Sequence, residues 1–299
     1  MPLSRSGFLV DSKSTGGGGL VEADREPDRL APTRRPNRNP VGYQGWHELT
    51  FLHWRVSADH LATLLPAGLE VDTFDGSAWV GLLPFRMSGV RPWWFPALPG
   101  VSAFCETNVR TYVHHNGVPG VWFFSLDAAN RLAVQVARWR WRLNYHHATM
   151  RVERLNGPCD DGSECFRGMV YQSERTVRAD GSRVSAGPGV PGVGVELEIS
   201  LDCETDSAGI DEAGHARPGS LEHFLVERYV LFTRDPTGAS PILYSGEVYH
   251  RPYPIQMVRV VGCQESLIRA SGIEVSGDPV HAMYSEGVEV EIFGLEPIE

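Results

Sequence analysis

What most restricts this chain is its supply of short β-type runs. From residue 148 to the end it strings together TMRVERL, FRGMVYQSERTVR, VGVELEISL, ILYSGEVYH, MVRVVG and VEVEIFG, punctuated by Gly, Pro, Asp and Ser clusters. Runs rich in β-branched and aromatic residues between such breakers read as strands, so the fold is expected to be β-rich. One helix interrupts them, with Ser220 as cap and Leu221, Phe224, Leu225 and Arg228 following at helical spacing. No repeat and no linker divides residues 41–299, which reads as a single domain.

Upstream, two dipeptides mark tight turns. Asp75-Gly76 joins LEVDTF to SAWVGLLPF, and Asn116-Gly117 follows a strand at 104–113; both tolerate the positive φ that two-residue hairpin turns demand. Ser57 is placed to cap a short helix carrying Leu61, Leu64 and Leu65, which Pro66 and Gly68 stop. RPWWFPALPG (91–100) is a proline-rich loop, either a lid over a pocket or a packed connection. VWFFSL (121–126) suits burial on both faces, and Asp127 is placed to cap a helix over 128–137.

Most polar residues with chemical potential lie in 104–147. The strand at 104–113 sets Cys105, Thr107, Val109, Thr111 and Val113 on one side and Phe104, Glu106, Asn108, Arg110 and Tyr112 on the other. The second side fits either water or the inside of a barrel or cleft, and the pattern alone leaves both open. RWRWRLNYHH (138–147) alternates in the same way, which points Tyr145 and His146 to opposite faces unless a bulge intervenes.

Composition removes several functions. A net charge of −10 and a pI of about 5.6 argue against nucleic acid as a main partner, because phosphate binding needs a basic face. The five cysteines are odd in number and form no CxxC pair, so a reducing cytoplasm is expected rather than a disulfide framework. No apolar run approaches the ~20 residues of a membrane helix, and the apolar piece at 7–10 is too short for a signal peptide. Residues 1–40, with a Gly16–Gly19 run and PTRRPNRNP, read as a disordered tail. The sole lysine is Lys13; the other 26 basic residues are arginine, which cannot act as a Schiff-base amine.

Motif searches are mostly negative. GPGVPG (187–192) fits the dinucleotide expression but carries two prolines and no strong helix after it. No Walker loop, G-x-S-x-G elbow or H-E-x-x-H occurs. His53, His146, His147 and His250 beside Glu106 are the natural metal candidates, but the adjacent pairs point to opposite strand faces and no H-x-H spacing occurs, so no metal site is expected.

HWRV (53–56), LLPAGLEVDTFDGSAWVGLLPF (64–85), FCETNVRTYV (104–113), GVWFFSLDA (120–128), FLVERYVLF (224–232) and HRPYP (250–254) together resemble the YqjF-like family of unknown function, grouped with the acetoacetate decarboxylase-like superfamily. The resemblance covers about residues 42–293. It implies a β-rich α+β fold, a barrel or cone of mostly antiparallel strands with a few peripheral helices around an inner pocket. In the decarboxylases one lysine forms an imine with a β-keto acid, a second lowers its pKa, and glutamate and arginine line the pocket. By motif, Glu106 is similar to that glutamate and Arg55 to that arginine, while the lysine pair falls on Tyr145 and His146, where F-P-K-K meets L-N-Y-H here. A homo-oligomer also fits, since decarboxylase-like relatives commonly form multimers.

Neither tyrosine nor histidine can form the imine. The resemblance therefore implies cofactor-independent acid–base chemistry on a small keto or carboxylated metabolite, of isomerase, dehydratase, cyclase or hydrolase type. Glu106, Tyr145 and His146 would move protons, and Arg55, Arg110, Asn108 and His250 would bind the small molecule. Two other readings stand beside this one. The same pocket would serve a binding or sensing protein without turnover, and Glu106 with Arg110, four apart on one strand face, would make a structural ion pair.

Overall fold

The computed structural model describes residues 27–159, 163–176, 192–202, 207–235 and 240–298. In chain order the described elements are β1 (Gly42–Val56), α1 (Ala58–Leu64), β2 (Glu70–Val71), β3 (Ala78–Pro92), β4 (Phe104–His115), β5 (Val118–Ala128), α2 (Arg131–Trp141), β6 (Tyr145–Pro158), β7 (Glu164–Arg175), β8 (Gly194–Ser200), α3 (Leu221–Val226), β9 (Val230–Arg234), β10 (Leu243–His250), β11 (Ile255–Met257), β12 (Arg259–Glu265), α4 (Leu267–Ala270) and β13 (His281–Ile298).

Seven strands close a ring in the order β5, β9, β10, β13, β1, β3, β4 and back to β5. Closure leaves the ring itself without a free edge. All these pairings are antiparallel except β5 with β9. Beyond β9, on the same flank, Leu126–Ala128 of β5 carry β6 in parallel, and β6, β7, β8 and β12 continue as an antiparallel second layer.

Two large cores follow from this layout. Leu49, Phe51, Leu83, Phe85 and Tyr112 pack with Phe224 and Leu225 of α3 inside the ring. Leu52, Trp54, Val80, Leu82 and Val109, at alternate positions of the ring strands, meet Met169, Tyr171, Leu197 and Ile199 of the second layer. The ring wall is thus apolar on both faces.

The local signals set the turns. Asp75-Gly76 and Asn116-Gly117 hold φ of 49°/70° and 49°/76°, the double positive φ of the tight hairpin turn. Ser57 and Ser220 accept bonds from the backbone nitrogens of His60 and His223 and start α1 and α3.

Asp127 does not cap a helix. It ends β5 fully buried, where Arg175 of β7 grips its carboxylate with Nε and Nη2 at 2.7 and 2.8 Å; Asn130 caps α2 instead. RWRW likewise belongs to α2 and not to a strand. Val134, Ala137 and Trp141 form one helical face against a small core with Leu143 and Tyr145, and Arg142 ends the helix at φ 54°. An Arg/Trp alternation this short fits either period, and burial of the 134/137/141 face decides between them.

Three further expectations change. Cys159 and Cys165 form a disulfide at the turn end of the β6–β7 hairpin; Cys203 lies outside the described residues. Trp93, Trp94 and Phe95 are not packed: they are 64%, 67% and 42% exposed. Within the expected tail, residues 27–40 are strapped to the ring, Arg29 pairing with Asp72, Arg35 with Glu291, and Arg38 with Glu247 and Glu296. Residues 1–26 and most of GPGVPG lie outside the described residues. Among the described residues no helix is long and apolar enough to cross a membrane.

Asp127→Ala leaves the Arg175 guanidinium, only 10% exposed, without its partner. Urea denaturation is expected to show a loss of about 3–5 kcal/mol, the usual cost of halving a buried ion pair.

Candidate functional site

Glu106, Asn108 and Arg110 occupy alternate positions on the ring-facing side of β4, each less than a tenth exposed. The strand-face question left open by the sequence is answered for the interior. Beyond them the hydroxyl of Tyr112 and Nη2 of Arg110 both donate to the Leu225 carbonyl, at 2.9 and 2.7 Å, which ties the inner face of β4 to the last turn of α3.

Tyr145 reaches the same space from across β5. Asn108 pairs with Leu126, and Leu126 pairs with Tyr145, which puts the three on one face. The Tyr145 hydroxyl donates to Oε2 of Glu106 at 2.8 Å. Its backbone is fixed on both sides: Arg138 of α2 donates through Nε to the Tyr145 carbonyl at 2.7 Å, and the Asn144 amide donates to the Phe124 carbonyl at 2.9 Å. Glu106 is held from behind by the second layer. Tyr171 donates to its carbonyl at 3.0 Å and accepts from Thr107 at 2.9 Å.

Side chains from both ends of two irregular strands meet here. Gln44, Trp46 and Leu49 all line the cavity although a regular β1 would turn Leu49 away; Glu48, at φ 54°, sits in the bulge that shifts the register against β3. The register break between Val109 and Arg110 does the same for Phe123 and Leu126 on β5. Bulges re-aim side chains in this way.

The result is a cavity of about 110 Å³ whose wall is mainly apolar, with Leu83, Phe85, Phe123, Trp141 and Tyr253 among its residues. Loss of water, first of all, pushes the Glu106 carboxyl up to about 8; the Tyr145 hydrogen bond opposes this and the Asp127 charge adds to it. Burial and then the neighbouring Glu106 push the Tyr145 hydroxyl well up as well. At neutral pH both groups hold their protons. Two polar atoms among the cavity-lining residues are buried without a partner, Oδ1 of Asn108 and Nε of Arg110. Such orphans are costly unless something polar meets them.

The other sequence candidates lie elsewhere. His146 faces away from Tyr145, half-buried beside Arg175 and Arg138; burial and those charges push it down to about 3, so its imidazole is neutral near pH 7. Arg55 stands exposed at the end of β1 over the Trp79 ring and does not line the cavity. His250 is buried one layer back, stacked on Tyr229 at 4.5 Å and against Tyr253 at 4.4 Å, and its Nδ1 donates to the Arg251 carbonyl. Glu106 and Arg110 form no ion pair with each other; each has the other partner described above. Among the described residues no group of three or more His, Cys, Asp or Glu converges to hold a metal. Sequence reading missed Gln44 and Trp141 as lining residues. Nothing local marks the bulge that admits Gln44, and the Arg/Trp alternation that reads as strand hides the helical position of Trp141.

Comparisons with known proteins agree with this architecture. The profile of DUF2071, described as an uncharacterized conserved protein, matches residues 43–289. The uncharacterized protein YqjF of Bacillus subtilis (strain 168) is 33% identical over 238 residues, covering 79% of this chain and 84% of that one. The acetoacetate decarboxylase of Legionella pneumophila superposes with a TM-score of 0.55 at 10% identity, over 97% of this chain and 98% of that one. The enduracididine biosynthesis enzyme MppR, complexed with pyruvate, gives a TM-score of 0.52 at 14% identity, over 89% and 93% of the two chains. At such identities the solved structures share the fold.

The raised Glu106 pKa sets a pH dependence of stability. The folded value lies above the unfolded one near 4.5, so this group's contribution is fully present below about pH 4.5 and is lost as pH rises through about 8. Glu106→Gln removes the titration. Urea midpoints from pH 4 to 9 are expected to fall less for the variant than for the parent, by an amount on the order of a few kcal/mol in unfolding free energy.

Proposed function

The chain belongs to the DUF2071, or YqjF-like, family, and on that premise we propose that it is a cofactor-independent enzyme performing acid–base chemistry on a small keto or carboxylated metabolite. The observation that carries this reading is the buried Glu106–Tyr145 pair in a cavity also lined by Asn108 and Arg110, which hold the unpartnered polar atoms. A carboxylate or an enolate oxygen on a ligand supplies what Arg110 Nε and the pocket around it lack.

Glu106 acts as the proton donor, because its neutral form prevails at pH 7 and an acid whose pKa lies near the working pH transfers protons most effectively. Tyr145 donates to Oε2, which favours placing the acidic proton on Oε1. Tyr145 keeps its own proton and so serves as a hydrogen-bond donor that orients Glu106, and Arg110 neutralises the charge that develops on the ligand. Imine chemistry has no amine in this cavity: no lysine lines it, and Lys13 lies outside the described residues. A structural neighbour, MppR, is complexed with pyruvate, a keto acid of the size that this pocket suits.

The reading is tested with a panel of small keto acids and carboxylates, scored first by thermal stabilisation and then by product analysis. A ligand at about 100 times its Kd stabilises by about 2.7 kcal/mol, well within reach of the measurement. Turnover is expected to fall as pH rises through about 8, and Glu106→Gln is expected to lower it by about 10²–10⁴-fold, the usual share of a general acid. Full turnover in Glu106→Gln would falsify the assignment. Stabilisation with the compound recovered unchanged identifies a binding protein instead.

A further inference from the structure

The inner cavity is too small to be the whole binding site. At about 110 Å³ it lies below the roughly 300–1,000 Å³ of ordinary small-molecule pockets. A second, larger cavity of about 480 Å³ adjoins it, and the two share Gln44, Trp141 and Ile292 as lining residues. Together they fall within the usual range.

The outer cavity differs in chemistry from the inner one. Trp93, Trp94, Val101, Phe104, Leu132 and Val136 form much of its wall, and no acidic residue lines it. Its two charged residues are turned to aromatic faces, Arg91 over Tyr43 at 4.5 Å and Arg140 over Trp141 at 5.4 Å. Trp93, Trp94, Leu132 and Val136 are half to two-thirds exposed, so this wall of the molecule offers apolar surface to water. Surface of this kind, continuous with a cavity that holds a few buried polar groups, marks a place that something apolar covers.

We infer that the ligand is amphipathic: a compact keto or carboxylate head in the inner cavity, and an aliphatic or aromatic chain that passes Trp141 and lies in the groove between α2 and the 93–101 segment. This rests on the head-group reading given above and adds the substrate class to it. The shared lining residues commit the groove to the same molecule. The polarity changes where they lie, with Glu106, Asn108 and Arg110 on one side and only aromatic and aliphatic side chains with two occupied arginines on the other.

The test is a homologous series of straight-chain 2-oxo acids from pyruvate to 2-oxododecanoate, titrated calorimetrically into the full chain and into a Leu132→Ser/Val136→Ser double variant. Both residues are about half exposed, so the variant keeps its fold. Affinity in the parent is expected to rise by about fourfold per methylene until the groove is full, the fold-change of ~0.8 kcal/mol per buried CH₂. The double variant is expected to flatten that slope while binding the shortest members equally well. Equal affinity along the whole series in the parent overturns the amphipathic ligand and leaves the head-group site standing. Binding by no member overturns the head-group reading, and this inference with it. A third outcome assigns the groove to a second copy of the chain and also overturns the inference: a slope unchanged in the double variant, with light scattering showing that the variant has lost an oligomer that the parent forms.

Discussion

β4 is the strand on which the molecule depends. It pairs with β3 on one side and β5 on the other, so it closes the ring and spends its backbone donors and acceptors on both neighbours. One of its faces meets the second layer and the other meets the interior. A charged or amide side chain on that inner face is therefore largely withdrawn from water. Glu106, Asn108 and Arg110 are held inside by the same pairing that makes the barrel, and their chemistry follows from that confinement: the carboxyl keeps its proton, and two polar atoms stay unpaired.

The interior is stabilised against this cost by bonds on both sides of the ring wall. Tyr171 and Thr107 tie down the Glu106 backbone, Arg175 neutralises Asp127 behind it, and α3 offers the Leu225 carbonyl to Arg110 and Tyr112. These bonds come from β7 and α3, far away in sequence. An unsatisfied polar group in a well-packed wall is tolerable when its neighbours are rigid, and this arrangement supplies that rigidity without filling the cavity.

Features set by near neighbours in the chain were legible in the sequence. The Asp75-Gly76 and Asn116-Gly117 turns and the Ser57 and Ser220 caps follow from single residues, and period-two alternation rightly separated Tyr145 from His146. What depended on distant partners was not legible. Asp127 has the chemistry of a cap, and only Arg175 of β7 makes it a buried anion in a strand. Arg29 looks like part of a tail until Asp72 and the Phe224 ring are beside it. Gln44 and Leu49 would face opposite ways on a regular strand, and the bulge at Glu48 that brings them together has no signature in its own neighbourhood.

The backbone-paired junction between the two layers is short. β6 touches β5 through three residue pairs, Leu126 with Tyr145, Asp127 with His146 and Ala128 with His147, and the first of these carries the hydroxyl that meets Glu106. Asn108 and Arg110 belong to the ring alone. Tyr145 therefore reaches the cavity from the second layer, and the core that this layer shares with the ring, with the bonds from Tyr171 and Arg175, fixes where its hydroxyl meets Glu106.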